Sequence, residues 1–454
     1  MPAKDLTKGN IIKQILIMGL PTAIGFSFQM FYDIVDLFWI GRISSKAIAG
    51  VGIFSTVFWV VEALNEIIGV SSISLISQSF GKKDFKRTNL AIEQTITFKF
   101  LVALLGSFLL LIFLKPILLL FSDDVEVIQL GLDYGYIRIF FLPIMFSSYS
   151  VNTALRSIGD SKTPMNLMIF SSVLNIILDP IFMFKKVPIF GFNGLNLGVS
   201  GAAWATIISQ SVAFLIGFYF LFSGIENIKP SIKGLFKLNL EIDKKLITIG
   251  LPNGFEVFMR NMSATIILYF ISKYGTKAIS AYTIGGRIFG FVFMPIVGLL
   301  MGGSAIIGQT LGAEKVERAK KVARVSGWMT AILTLIFVII FVIFAPELMS
   351  LFTNDSEIIE IGVLFLRYSV LGLVFLGYGI GISIAFTGSG YNLPYFFMSL
   401  FSRWFVQIPL MYIFTYLFKL SIIWIWLSFA FGDIAEFLIA VYFYKKGKWE
   451  YKRV

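Results

Sequence analysis

The chain repeats itself at one fixed distance. Gly19-Leu-Pro21 returns as Gly250-Leu-Pro252, Lys46-Ala-Ile48 as Lys277-Ala-Ile279, and Gln78-x-x-Gly81 as Gln309-x-x-Gly312. Leu120-Phe-Ser-Asp-Asp124 returns as Leu351-Phe-Thr-Asn-Asp355, and Gly159 as Gly390. Every pair lies 231 residues apart, and unrelated chance matches would not share one offset. The first copy holds long apolar runs near 12–40, 47–77, 93–114, 128–151, 164–184 and 197–222. The second holds them near 246–271, 279–308, 325–345, 359–385, 394–417 and 421–443. Each reaches or exceeds the roughly 20 residues that cross a bilayer. Six is even, so both copies enter the membrane in the same direction and form a parallel repeat about an axis along the membrane normal. The expected fold is an all-α polytopic membrane protein with twelve transmembrane helices in two pseudo-symmetric six-helix lobes. The first lobe is expected over 1–224, a basic cytoplasmic linker over 225–245, and the second lobe with its basic tail over 246–454.

Composition narrows the chemistry. The chain is 57% apolar and 14% charged, against about 45–50% and about 25% in a soluble domain. It has no cysteine and no histidine, which excludes disulfides, thiolate and imidazole metal sites, and Ser-His-Asp catalysis. Neither a Gly-x-Ser-x-Gly elbow nor a Gly-x-x-x-x-Gly-Lys-Ser/Thr loop occurs, which argues against an enzyme or a self-contained ATP-driven pump. Ion chemistry inside the membrane therefore falls to carboxylates, amides and hydroxyls, with no cofactor. The formal charge of +12 reads as basic loops facing a lipid bilayer, not as a nucleic-acid surface. The first apolar run is too long for a cleavable signal peptide and is expected to remain as a span. Lys82, Lys83, Lys86 and Arg87, the stretch 229–245, the stretch 315–324 and both chain ends crowd one side. The other side carries Ser122-Asp-Asp-Val-Glu126 and Thr353-Asn-Asp-Ser-Glu357. Both termini of a multi-pass cell-membrane protein are thus expected in the cytoplasm.

One span carries a polar stripe. Thr22, Gly25, Gln29, Asp33 and Asp36 are spaced to share one face of a helix that is otherwise Phe, Ile, Leu and Met. A central Asp costs roughly 2.5–3.5 kcal/mol on membrane-insertion scales, so such residues usually face a bundle interior or a wet cavity. The fifth span adds Ser171, Asn175 and Asp179, each one turn apart and followed by Pro180. Asn152 in the fourth span and Thr206 and Gln210 in the sixth complete the set. Oxygen ligands alone suit Na⁺, while two carboxylates side by side also suit a proton. The bland alternative is that Asn175 and Asp179 only satisfy carbonyls freed near Pro180. In the second copy Gln29, Asp33 and Asp36 become Arg260, Ala264 and Ile267, so the acidic stripe is special to the first.

Weaker candidates are Glu62 and Glu66, Glu256 and Arg260, and Asp433 and Glu436. Glu256 and Arg260 lie one turn apart and are placed to pair with each other. Lys99, Arg138, Arg287, Arg367 and Arg403 lie within or at the edges of spans, where pairing or snorkelling is the ordinary explanation. Gln29, Asp33, Gln210, Glu256 and Arg260 are candidates to line a cavity. The 49 Phe and 15 Met could wall such a cavity for bulky organic cations, although most must face lipid or other helices.

Taken with the twelve spans, several motifs resemble the multidrug and toxic compound extrusion (MATE) family. They are Gly19-Leu-Pro21, Asp36-x-x-x-x-Gly41-Arg42, Gln78-x-x-Gly81, Asn175-x-x-x-Asp179-Pro180 and Gly201-Ala-Ala-x-Ala-Thr206. The resemblance implies a monomeric antiporter that exports amphipathic, often cationic, small molecules in exchange for Na⁺ or H⁺ by alternating access. It carries the first-lobe cation site onto Asp36, Asn175, Asp179 and Thr206, with Asn152 nearby. The second-lobe acidic site of some relatives has no counterpart: its Glu position is Arg260, and the tenth span has no acid around Phe375–Phe386. The alternative is a lipid-linked oligosaccharide flippase of the wider superfamily, for which Arg260, Arg287 and Arg367 would supply a basic cavity.

Overall fold

Backbone polar groups that reach lipid have no water to bond, so a spanning chain of this composition is driven into helix. The computed structural model describes residues 4–188 and 191–454, with side chains described at all of these except 59, 60, 62 and 292. The side chain of Glu62 therefore lies outside the described residues. In the first half the helices are α1 (Ile11–Ile43), α2 (Ser45–Gly81), α3 (Phe85–Phe121), α4 (Val125–Phe140), α5 (Leu142–Ser157), α6 (Lys162–Met183) and α7 (Val199–Ser223). The second half has α8 (Leu240–Ser272), α9 (Thr276–Gly312), α10 (Val316–Ser350), α11 (Ser356–Ser369) and α12 (Leu373–Ser389). It continues with α13 (Leu393–Ser399), a wide π-type stretch Leu400–Gln407, α14 (Ile408–Tyr412), α15 (Ile422–Lys445) and the short α16 (Lys448–Tyr451).

Among the described residues nine helical segments are long and apolar enough to cross a membrane, or up to eleven if each bent pair is one span. Helix α8, 33 residues long but interrupted by Glu256 and Arg260, completes the twelve. Large apolar side chains face outward along these helices, for example Phe108 and Leu105 on α3 at 62% and 60% exposure. Water would not tolerate such a surface, whereas lipid is its natural solvent.

The chain forms two compact units. One comprises Met1–Asp5 and Ile24–Thr248, the other Leu6–Ala23 and Ile249–Val454. The early segment groups with the second half because its polar groups are bonded there. The Leu6 amide donates to Gln309 Oε1 (3.0 Å), Lys315 Nζ donates to the Thr7 carbonyl (3.1 Å), and Arg318 donates to Gln14 Oε1 (2.7 Å). The sequence repeat gives no hint of this grouping.

The duplication is visible in each unit by itself. Lys46 Nζ lies 2.9 Å from Asp124 and 2.7 Å from Glu126. Its repeat partner Lys277 lies 3.3 Å from Asp355 and 2.6 Å from Glu357. Asp124 caps α4 and Asp355 caps α11, each accepting from two backbone amides. The hydrogen bonds to Glu126 and Asp124 hold the Lys46 ammonium up at about 12.

Two prolines show how the bundle closes its backbone account. Pro143 has no N–H for the Ile139 carbonyl one turn back, and α4 and α5 meet there at 51°. Ser107 on α3 donates to that carbonyl at 2.8 Å. Pro346 likewise frees the Val342 carbonyl beside the non-helical Phe344, and Arg367 Nε donates to it at 3.2 Å. Close packing does the rest. A Cβ at Gly50 in α2 would lie 2.8 Å from the Gly131 amide of α4, whereas one at Gly52 would meet nothing within 4 Å.

Ser107→Ala should lower stability by about 1–3 kcal/mol by leaving a buried carbonyl unpaired, read as a lower melting temperature of the purified protein. Gly50→Ala should lower that temperature too, because α2 and α4 must part. Gly52→Ala, with open space and a better helix former, should leave it unchanged or raise it.

Candidate cation site

Asn175 and Asp179 sit one turn apart on α6, so their side chains share a face, and Thr206 reaches them from α7. Asn175 Nδ2 donates to Asp179 Oδ1 (3.1 Å) and to Thr206 Oγ1 (3.3 Å), and Thr206 itself donates to the Ala202 carbonyl (3.0 Å). All three are sealed from solvent, with Asp179 at 0% and Asn175 and Thr206 at 1% exposure. Asp36 of α1 is also buried, at 8%, and lies within electrostatic reach of Asp179. The Tyr134 hydroxyl of α4 lies beside the Asp36 carboxylate.

This arrangement leaves acceptors without donors. Asp36 Oδ1, Asn175 Oδ1 and Asp179 Oδ2 are buried and, among the described residues, have no hydrogen-bond partner. An unsatisfied buried acceptor costs on the order of 1–3 kcal/mol. Three such oxygens in one region are acceptors that a cation, a proton or water can meet. Among the described residues no group of three or more His, Cys, Asp or Glu gathers, so the donor set is two carboxylates, an amide and a hydroxyl. Oxygen donors of that kind suit a hard monovalent ion.

The chain brings its own positive charge to this pocket. Arg138 of α4 is within electrostatic reach of Asp33, Asp36 and Asp179. Its guanidinium lies 5.6 Å from the Phe58 ring centre and 5.8 Å from that of Tyr134, within cation–π range. From the sequence Arg138 could line a cavity, with pairing or snorkelling as the ordinary explanation. The signal was present, since Tyr134-x-x-x-Arg138 puts both on one face, but nothing in the spacing tells which way that face points.

The other expected residues divide. Gln29, Asn152 and Gln210 line a separate small cavity of about 40 Å³ together with Ser171 and Arg156. Gln29 Nε2 donates to the Tyr149 hydroxyl (3.0 Å), and Gln210 Nε2 donates to Tyr32 (3.1 Å). Glu66 lies within electrostatic reach of Arg156. The α1 stripe is not uniform: Thr22, Gly25 and Asp36 are buried, Gln29 is half-buried, and Asp33 is exposed. In α8, Arg260 Nε pairs with Glu256 at 3.3 Å. Asp433 and Glu436 of α15 line a cavity in the second half.

Residues 21–181 and 252–413 each match the MatE family, two matches that coincide with the two repeats. Among curated relatives, the probable multidrug resistance protein YoeA of Bacillus subtilis is 28% identical, covering 99% of this chain and 96% of its own. The probable multidrug resistance protein NorM of Thermotoga maritima is 28% identical over 98% and 94%. The multidrug export protein MepA of Staphylococcus aureus is 26% identical over 92% and 90%. Among solved structures, a MOP superfamily transporter from Pyrococcus furiosus superposes with a TM-score of 0.90 at 23% identity, covering 98% of both chains. An outward-facing multidrug resistance MATE family transporter gives 0.90 at 24%, again over 98% of both.

A cation entering this pocket would compete with Arg138 for the same carboxylates. At an effective dielectric of ~20, a unit charge ~8 Å away is worth ~2 kcal/mol. Arg138→Ala should therefore tighten binding of a monovalent cation by about tenfold or more, measured as Na⁺ protection of the purified protein against thermal unfolding. Unchanged or weaker protection would remove Arg138 from the pocket's electrostatics.

Proposed function

We propose that this chain, which belongs to the MatE family, is a secondary active multidrug exporter of the cell membrane. In this reading it moves amphipathic organic cations outward in exchange for inward Na⁺ or H⁺, with both termini in the cytoplasm. The names of its relatives support drug export, and the family match spans both halves of the chain. The single observation that carries the coupling half of the proposal is the trio of orphaned buried oxygens on Asp36, Asn175 and Asp179.

Each residue then has a task. Asp36 and Asp179 provide the charge that attracts the entering ion. Asn175 holds Asp179 and Thr206 in register through its amide N–H groups while its own oxygen stays available. Arg138 neutralises the carboxylates between binding events, so the empty pocket need not hold uncompensated charge in a low dielectric. An entering ion must displace that interaction, and Arg138 and the helix that carries it then rearrange. Ion binding and drug binding are linked because each has a different affinity for the two states of the alternating-access cycle.

The flippase alternative gains nothing specific. Of the three arginines that would form its basic cavity, Arg260 is paired with Glu256, and Arg367 is bonded to the Val342 carbonyl.

Organic-cation dye transport by the purified protein in liposomes, with Na⁺ and pH gradients imposed separately, tests the proposal and names the ion. Asp36→Asn should cut gradient-driven dye movement at least about tenfold, as expected when a buried charge is removed from an ion site, while the protein remains folded in the bilayer. Normal export by that variant would sink the coupling assignment.

A further inference from the structure

The segment between α7 and α8 is pinned along its length, and it holds apolar side chains outward. Residues 229–239 run along the start of α3, fixed to it by five hydrogen bonds. The Lys229 amide donates to Asn89 Oδ1 (3.0 Å), the Ser231 amide to Glu93 Oε1, and the Asn239 amide to Gln94 Oε1 (2.8 Å). In return, Thr97 Oγ1 donates to the Leu235 carbonyl (2.8 Å) and Gln94 Nε2 to that of Lys237 (2.6 Å). Gln94 and Glu93 are both buried beneath this strap. A short 3₁₀ helix, Ile232–Phe236, forms its middle. Gly234 in that helix lies so close to the Glu93 carboxylate that a Cβ there would collide with it.

A backbone pinned this way cannot turn its apolar side chains inward. Phe236 is 86% exposed and Leu240 81%, and Ile232 and Leu238 are exposed as well. Such a cluster of large apolar side chains marks an interaction surface more often than isolated ones do. The repeat shows that the anchors are not general architecture. Asn89, Glu93, Gln94 and Thr97 correspond at the 231-residue offset to Lys320, Arg324, Val325 and Trp328. The polar set that holds the strap belongs to the first copy.

The geometry of α3 says what the strap meets. Gln94, Thr97, Leu101, Leu104 and Phe108 recur at steps of three and four residues, so they share one face of the helix. Leu101, Leu104 and Phe108 are exposed, and on a spanning helix an exposed apolar face meets acyl chains. Thr97, which holds the Leu235 carbonyl, stands one turn, about 5 Å, before Leu101. The strap therefore crosses α3 at the end of its lipid-facing stripe, where headgroups lie. Lys229, Lys233 and Lys237 alternate with the apolar residues, are exposed, and form no ion pair among the described residues. No acid lies between residues 229 and 240. Beyond it, Glu241 is engaged by Lys245 at 2.9 Å. Lysines set among exposed aromatic and aliphatic side chains are the composition of a segment that lies in an anionic interface.

We propose that residues 229–240 form an interfacial strap that binds anionic phospholipid, with Phe236 and Leu238 among the upper acyl chains and Lys229, Lys233 and Lys237 on the phosphodiesters. The proposal depends neither on drug export nor on the coupling ion. The two kinds of side chain divide the work. Apolar burial attracts any phospholipid, whereas the lysines prefer a headgroup whose phosphate is not balanced by a choline. A protein partner on the same residues would exclude lipid from them, so the two occupants give opposite results.

The test uses the full chain in nanodiscs that mix phosphatidylcholine and phosphatidylglycerol, with a photoactivatable diazirine near the headgroup end of the acyl chain of one lipid at a time. Adducts are mapped by peptide mass spectrometry. Both lipids should label residues 229–240, and phosphatidylglycerol should do so about fivefold more or better, the scale of one lysine at an anionic surface. Replacing Lys229, Lys233 and Lys237 together by Gln should bring phosphatidylglycerol down to the phosphatidylcholine level. Phe236→Ser with Leu238→Ser should lower labelling by both lipids at least about threefold. Adducts on Leu101 and Phe108 serve as the internal reference. A strap free of adducts while those residues are labelled would show it turned to water or covered by protein, and would overturn the proposal. Equal labelling by the two lipids, or a preference that survives the loss of all three lysines, would overturn it too. The headgroup comparison is made on the wild type, so it decides the question even where a variant fails to fold.

Discussion

In a bilayer, a polar atom without a protein partner has no water to fall back on, and the rest of this structure follows from that demand. It explains why every span is helical, and also why the helix breaks are repaired by neighbours. Ser107 bonds the carbonyl that Pro143 frees, and Arg367 bonds the one that Pro346 frees. These two side chains would look like functional polar residues in a sequence scan. Their hydrogen bonds show that they are consumed by the architecture. The same test sorts the remaining polar groups. Glu256 and Arg260 answer each other, and Gln29 and Gln210 bond tyrosines. Asp36, Asn175 and Asp179 retain buried oxygens that no donor among the described residues answers. Function is sought where the demand is unmet.

The two copies agree at their ends and disagree at their centres. The lysine that reaches across to a helix cap and the acid two residues beyond recurs in both, as Lys46 with Asp124 and Glu126 and as Lys277 with Asp355 and Glu357. Those contacts are exposed and fix how one helix hairpin meets the next. Nothing about them depends on what each half binds. In the middle of the spans Asp36 corresponds at the repeat offset to Ile267, Asp179 to Leu410, and Thr206 to Phe437. In the other direction, Asp433 and Glu436 correspond to Ala202 and Ala205. Each half therefore carries its own acids at positions that the other leaves apolar.

Much of this was legible in the sequence. Apolar length gave the spans, and a constant offset gave the duplication, because both depend on patterns that recur along the chain. Asn175 and Asp179 were readable as a pair because they are one turn apart, and Thr206 joined them through the family resemblance. Rotational setting was not legible. The α1 stripe looked uniform, yet Asp36 is buried while Asp33 is exposed, since a stripe three to four residues wide spans both a packed and an open sector. The setting of Arg138 was open for the same reason. An arginine near the end of a span reads as snorkelling unless the orientation of its helix is known. The grouping of Leu6–Ala23 with the second half was also hidden, because it depends on hydrogen bonds between residues some 300 positions apart.

Charge balance ties the two halves together more closely than their sequences do. A carboxylate in a low-dielectric bundle must be compensated, either by a fixed cation or by one that comes and goes. In the first half the fixed cation is Arg138, held over Phe58 and Tyr134, and with Asp33, Asp36 and Asp179 around it the acids still outnumber it. In the second half Arg403 stands within electrostatic reach of Asp433 and Glu436, one guanidinium to two carboxylates. Both pockets thus stop short of internal neutrality. A pocket compensated in full by its own side chains would have no reason to take up an ion, and one left with several bare charges would not be stable in the membrane. On the proposed exporter reading, that residual imbalance is the condition for binding and releasing a mobile cation.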